Sequence, residues 1–126
     1  MVRTMRDHRK LRVFHLADDL ALLVYTHTRQ FPREEQFGLV SQMRRAAVSV
    51  ASNIVEGCAR DTQADYTRFL TIAFASAREL EYQISLSHRL GYLSAAESRR
   101  LESACSGTCK TLHGLIRSLK PPVPSR

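Results

Sequence analysis

The sequence predicts an all-α protein, an antiparallel up-down-up-down four-helix bundle. Three observations carry that expectation. Apolar residues recur every three or four positions along most of the chain, and the alternation of a β-strand is missing. Proline, glycine and capping residues cut this pattern into four segments joined by short connections, which make successive helices antiparallel neighbours. The 126 residues suffice for one core and not for two. Residues 11–119 form the expected bundle, residues 1–10 a basic N-terminal arm, and residues 120–126 a Pro-rich tail expected to be extended or disordered.

The first helix is expected from about Leu11 to Thr28, with Phe14, Ala17, Ala21 and Val24 on one face and Leu16, Leu20 and Leu23 beside them. Phe31-Pro32 ends it, because the residue before a proline is pushed out of the helical region. Pro32, Glu34 and Glu35 suit the first turn of the second helix, where proline forfeits no hydrogen bond and carboxylates complement the dipole. That helix is expected from about Gln36 to Ala59, seamed by Val40, Met43, Ala47, Val50 and Ile54. The break falls at Arg60-Asp61-Thr62, with Asp61 or Thr62 as N-cap of the third helix.

The third helix is expected from about Gln63 to Leu90, seamed by Tyr66, Leu70, Ala73, Ala77, Leu80 and Ile84, with Gly91 at the C′ position. Ser94-Ala-Ala-Glu97 is a capping box that opens the fourth helix. It continues through Leu101, Cys105, Thr108, Leu112, Leu115 and Leu119 until Pro121 stops it.

No run of about 18 apolar residues is present, so no membrane span is expected. The N-terminus is too polar for a secretory leader, and three cysteines (Cys58, Cys105, Cys109) are an odd number in a chain that needs no staples. A cytoplasmic protein with reduced thiols is expected. The net charge of +7 is concentrated at the two ends: residues 1–12 carry +4, residues 99–126 carry +5, and residues 13–98 carry −2. In an up-down bundle the start of the first helix and the end of the fourth lie together. Arg3, Arg6, Arg9, Lys10, Arg12, Arg117 and Lys120 are therefore expected to converge beside the loop bearing Arg60, with Arg68 nearby.

The third helix has more apolar surface than one bundle needs. Ile72, Ala75, Tyr82, Leu86 and Leu90 form a second stripe with Glu79 in its middle, rotated well away from the core seam at about 100° per residue. Such a face on a bundle helix suits another subunit. A carboxylate buried there needs a cationic partner, for which Arg44 and Arg45 are the candidates, within or across chains. On the second helix Asn53, Glu56 and Arg60 line up with Gln42, Arg45, Ser49 and Ser52, on the face read as opposite its core seam. This charge-balanced array suits a polar network fixing register between helices or subunits better than it suits phosphate.

The run Gln42-Met-Arg-Arg-Ala-Ala-Val-Ser-Val-Ala-Ser-Asn-Ile-Val-Glu-Gly57, followed by Arg60, Arg68-Phe-Leu-Thr-Ile-Ala73 and Glu79-Leu80, resembles the bacterial four-helix-bundle family named for the 23S rRNA intervening sequence. Leu11-Arg-Val-Phe14, Phe31-Pro32 with Glu35, and Leu90-Gly-Tyr-Leu93 extend the resemblance to about residues 8–119. Phe14 stands where Trp is common, Val55 where Ala is usual, and Phe74-Ala75 where a basic residue and Gly often stand. The resemblance implies a homopentamer with no established catalytic activity. It marks Arg44, Arg45, Asn53, Glu56, Gly57, Arg60 and Glu79 as family-motif and assembly residues. Some members are encoded within rRNA intervening sequences, and a related group serves diversity-generating retroelements as a basic accessory protein that binds nucleic acid and a reverse transcriptase.

The residues give little sign of an enzyme. A di-iron bundle needs Glu-x-x-His pairs, and no Glu here is followed by His three positions on. Cys105, Cys109 and His113 share a helical face and could be soft metal ligands, but a fourth ligand is not evident and buried thiols explain them. His8, His15, His27, His88 and His113 accompany no nucleophile signature, and no Gly-rich phosphate loop occurs. No catalytic residue, cofactor or metal is expected. Two readings remain: a homo-oligomer binding RNA or DNA nonspecifically through its basic end, and a scaffold recruiting another protein with no nucleic-acid role.

Overall fold

The computed structural model describes residues 6–121. A 3₁₀ turn at His8–Lys10 precedes α1 (Arg12–Thr28), and a second at Arg33–Glu35 separates it from α2 (Leu39–Cys58). The chain then forms α3 (Gln63–Arg89) and α4 (Ala95–Leu119). Each helix packs on its successor and α4 returns to α1, whereas among the described residues the backbones of the diagonal pairs stay farther apart. Three contacts set the antiparallel directions. Gln30 at the end of α1 donates to Glu97 at the start of α4 (2.6 Å), Gln63 at the start of α3 donates to the Leu119 carbonyl at the end of α4 (2.9 Å), and Arg6 donates to the Arg60 carbonyl (3.3 Å). The fold is the expected four-helix bundle.

The seams of α2 and α3 lie where periodicity puts them: Val40, Met43, Ala47, Val50 and Ile54 pack against Tyr66, Leu70, Ala73, Ala77, Leu80 and Ile84, all buried. Burying a Leu or Ile side chain of this kind contributes about 1.5–3 kcal/mol. In α1 the buried line is Val13, Ala17, Leu20, Val24 and Thr28, turned slightly from the expected one. Phe14 is half-buried because it meets the His8 ring edge-on at 4.7 Å, so the preceding 3₁₀ turn covers it. In α4 Cys109 and Ile116 are buried, and Leu115 and Leu119 lie at the margin.

Local chemistry fixes the helix ends. Thr62, not Asp61, caps α3 by accepting from the Asp65 amide at 3.1 Å. Gly91 has φ +83°, and the Tyr92 and Gly91 amides bond back to the Ser87 and His88 carbonyls, a Schellman closure of α3. Both bonds of the Ser94–Glu97 capping box form. The expected start of α2 needs correction: Pro32, Glu34 and Glu35 belong to the separate 3₁₀ turn, and α2 opens at Leu39. Gly38, at φ −105° and ψ −108°, interrupts the helical path. The Glu35 carboxylate then reaches across to accept the Leu39 amide at 3.2 Å, taking the place of a side-chain N-cap.

Candidate nucleic-acid interface and assembly surface

At one end of the bundle the close of α2 and the opening of α3 are drawn tightly together. Gly57 is buried there, and a β-carbon on it would fall 3.1 Å from the Phe69 Cβ and 3.2 Å from the Tyr66 ring. Only a glycine allows this approach without displacement. The two rings so held support arginines. The Arg6 guanidinium lies 4.1 Å from the centre of the Tyr66 ring, and those of Arg60 and Arg68 each lie 4.6 Å from the centre of Phe69. Arg6 also donates to the Arg60 carbonyl, which fixes the N-terminal segment over the α2–α3 loop. Burial pushes the Tyr66 phenol and the neighbouring Cys58 thiol above their ordinary pKa values, so both stay neutral beneath the cations.

The residues expected at this end have varied surroundings. Arg9 is held by Asp7 through Nε at 3.0 Å and Nη2 at 3.1 Å; that hydrogen-bonded pair lowers the Asp7 pKa and raises the Arg9 one. Lys10, Arg12, Arg117 and Lys120 are exposed. Arg3 lies outside the described residues, as do residues 122–126 of the Pro-rich tail. Tyr66 is expected only in the core seam and Phe69 only within the family motif. The sequence signal for Phe69 is its neighbour Arg68, whereas Arg6 reaches Tyr66 from far away in the sequence.

The second surface joins α2 to α3. The Ser49 and Ser76 hydroxyls pair at 2.9 Å across the two helices, and the Asn53 amide donates to the Ser49 carbonyl (2.8 Å) and hydroxyl (3.0 Å). The polar face of α2 is therefore not opposite its core seam but beside it, turned to α3, because half-buried Ser49 and Asn53 sit where the helices meet. A groove there is lined by Gln42, Arg45, Ala46, Ser49, Ser76 and Glu79. Next to it along α3, Ile72, Tyr82 and Leu90 are 39%, 59% and 50% exposed, while Leu86 packs partly on the core. The polar array of α2 and the second stripe of α3 thus share one face.

Within one chain the expected carboxylate–arginine pair does not form. Glu79 is exposed there. Arg44 does not approach it: its Nε donates to Thr28 Oγ1 at 3.0 Å and its guanidinium lies over the Tyr25 ring at 4.5 Å, on the α1 side. Arg45 shares the groove with Glu79, yet among the described residues the two are not within ion-pair distance. Glu56 and Arg60 are exposed, and Gly57 serves the packing of α2 on α3.

A different groove, of about 490 Å³, runs between α1 and α2 and is lined by Tyr25, Phe37, Val40, Val48, Arg44 and Arg45. Phe37, expected inside a helix, instead stands 89% exposed in the turn before Gly38.

The cysteines are buried. Cys105 donates to the Ala77 carbonyl at 3.3 Å, and its hydrogen bond with Cys109, then burial, push its thiol well up. His113 is exposed with its ring against Phe74 at 5.7 Å, so the two thiols and the imidazole do not form a site. Among the described residues no three His, Cys, Asp or Glu side chains gather to hold a metal, and no helix is long and apolar enough to cross a membrane.

These features define a small all-α bundle with an arginine-rich end and a partly apolar flank. The chain belongs to the 23S rRNA-intervening sequence protein family, whose model it matches over residues 9–114. Its fold is similar to the crystal structure of a protein of unknown function from the S23 ribosomal protein family of Bacteroides thetaiotaomicron VPI-5482. The TM-score is 0.76 at 24% identity, covering 83% of this chain and 95% of that one. No curated protein matches the sequence.

Proposed function

We propose that the protein is a non-enzymatic homo-oligomer, a pentamer of four-helix bundles, that binds RNA or DNA without regard to sequence through its basic end. The observation that carries this reading is the meeting of the N-terminal segment, the α2–α3 loop and the end of α4 at one pole, through the Arg6–Arg60 and Gln63–Leu119 hydrogen bonds. Cations placed together on each of several subunits attract a phosphate backbone with strong salt dependence. Base stacking is not part of the reading, since Tyr66 and Phe69 are buried under arginines. Self-association is supported by the exposed Ile72, Tyr82 and Leu90 flanking Glu79 on the α2–α3 face, and the number five by the family resemblance of the α2 motif. The burial of all three thiols, the strongest nucleophiles in the chain, favours a non-catalytic role. Titrating labelled single- and double-stranded RNA and DNA tests the reading: tight binding at about 50 mM salt that falls steeply with added salt is expected. No binding at low salt overturns it.

Phe37 favours a second reading, a scaffold that recruits another protein. A ring 89% exposed at the mouth of the Tyr25–Val48 groove is costly unless something covers it. Capture of one protein that survives nuclease treatment and is lost in Phe37→Ser supports this reading against the first.

A further inference from the structure

The basic pole is not a uniform patch. Lys10, Arg12, Arg117 and Lys120 are exposed with no ring beneath them among the described residues, whereas Arg6 and the likewise exposed Arg60 and Arg68 lie over the Tyr66 and Phe69 rings. An arginine stacked on a ring has already lost much of its rotamer freedom, so less is lost when it binds a ligand. Its planar fork keeps N–H donors at the edge, a geometry that matches two oxygens of one phosphate. The rings are rigid in turn, because Gly57 lets α2 close on them.

The charge pattern around this cluster is also unusual. Among the described residues neither Arg6 nor Arg60 lies within ion-pair distance of a carboxylate, and Arg68 has only a loose contact with Asp65 at 3.8 Å. Asp65 tempers the field of the pole without giving Arg68 a close bidentate partner. Three guanidiniums held over two neighbouring rings raise the local positive potential, which favours an anion at this end.

We propose that Arg60 and Arg68, stacked on Phe69, with Arg6 on Tyr66 beside them, form a preorganised phosphate-binding site that grips the sugar-phosphate backbone of a nucleic acid. This deepens the nucleic-acid reading above and rests on it. It moves Arg60 from the assembly face to the ligand face. Phosphate is favoured over an acidic protein because the site offers only arginines, each oriented by a ring. A fork so oriented suits the regular spacing of backbone phosphates better than flexible carboxylate side chains. The rings beneath are covered, so the site reads the backbone and not the bases.

The test is a set of salt titrations with labelled duplex DNA and single-stranded RNA of mixed sequence, each variant first shown to melt cooperatively like the wild type. Arg60→Gln with Arg68→Gln is expected to weaken binding on the order of tenfold or more. It is also expected to flatten the log–log salt slope for duplex DNA by about 1.8 for each subunit in contact, two contacts at about 0.9 each. Arg99→Gln with Arg100→Gln removes the same charge from exposed positions near the start of α4 and is expected to cost far less. Arg60→Lys with Arg68→Lys keeps the charge but loses the fork and the stacking, and is expected to fall between. Equal losses in the two Gln pairs, wild-type binding by the Lys pair, or displacement of nucleic acid by polyglutamate at equal charge would each overturn the site. Failure of the wild type to bind any nucleic acid would instead overturn the reading on which it rests.

Discussion

A β-carbon on Gly57 would stand 3.1 Å from the Cβ of Phe69, so α2 and α3 approach closely beneath the arginine cluster. Gly57→Ala gains roughly 1 kcal/mol of helix propensity. Against that stand three tight contacts, two of them with the Phe69 Cβ and the Tyr66 carbonyl at 3.1 and 3.3 Å, which cannot swing away. Overpacking of this kind costs about 1–3 kcal/mol. The expected result in urea denaturation is a net loss of about 1 kcal/mol. Gly114→Ala is the control: its β-carbon would meet nothing within 4 Å, so only the propensity gain of about 0.5–1 kcal/mol should remain. Stabilisation by both substitutions would refute the close-packing account of Gly57.

The Glu97 carboxylate accepts the Ser94 amide at 2.8 Å and the Gln30 side chain at 2.6 Å, and lies 3.5 Å from His27 Nδ1. Chiefly the Ser94 backbone bond, then Gln30, lower its pKa from the ordinary 4.5 to about 2. The charged form is therefore favoured by folding. Its contribution is full above pH 4.5 and is lost as the pH falls through about 2. Glu97→Gln retains an acceptor but not the charge. The variant should be less stable than wild type at neutral pH, and the two denaturation midpoints should converge between pH 4.5 and 2. A gap that stays constant over that range would place the stabilisation elsewhere.

Tyr92 donates to Glu35 Oε2 at 2.9 Å while Glu35 Oε1 caps α2, so one carboxylate ties the α3–α4 loop to the α1–α2 loop. That hydrogen bond raises the Tyr92 phenol above its ordinary pKa of 10. A raised pKa means the protonated form is favoured in the fold, so the bond stabilises fully below pH 10 and weakens as the pH rises beyond it. Tyr92→Phe should be less stable than wild type at pH 7, and the difference should shrink on the alkaline side. Ultraviolet titration should show one phenol fewer among those that ionise late.

Periodicity made the helices legible because each buries one continuous face. The Ser94–Glu97 box and Gly91 were legible because their chemistry is local, within a few residues. What was not legible depends on contacts distant in sequence or on a side chain replacing backbone. The start of α2 moved to Leu39 because Glu35 reaches over Gly38 to cap it. On α1, Phe14 lies at the margin of the buried face, where His8 from the preceding turn covers it. The arginine–ring cluster joins Arg6 to Arg60 across 54 positions, which helical spacing does not encode. Arg44 looked like a partner for Glu79 by charge alone, and only the packing of α1 on α2 shows it turned to Thr28 and Tyr25.

The stripe on α3 yields the prediction that bears on assembly. Glu79 is exposed within one chain and Tyr82 is 59% exposed, so substitutions there should leave the bundle itself within about 0.5 kcal/mol of wild type. In an assembly that covers this face the same positions become buried. Tyr82→Asp then sets an unpaired charge in an apolar contact and should give a folded 14.3 kDa monomer where the wild type sediments as a larger species. Glu79→Ala discriminates further. If a neighbouring subunit's arginine pairs with this carboxylate in the interface, its removal leaves a buried cation alone, at a cost of about 3–5 kcal/mol. That amounts to two or more orders of magnitude in subunit dissociation. At the rim the change would be tenfold or less. A wild-type chain that sediments as a monomer at micromolar concentration would remove the stripe's role as an interface, because no second copy would be there to cover it.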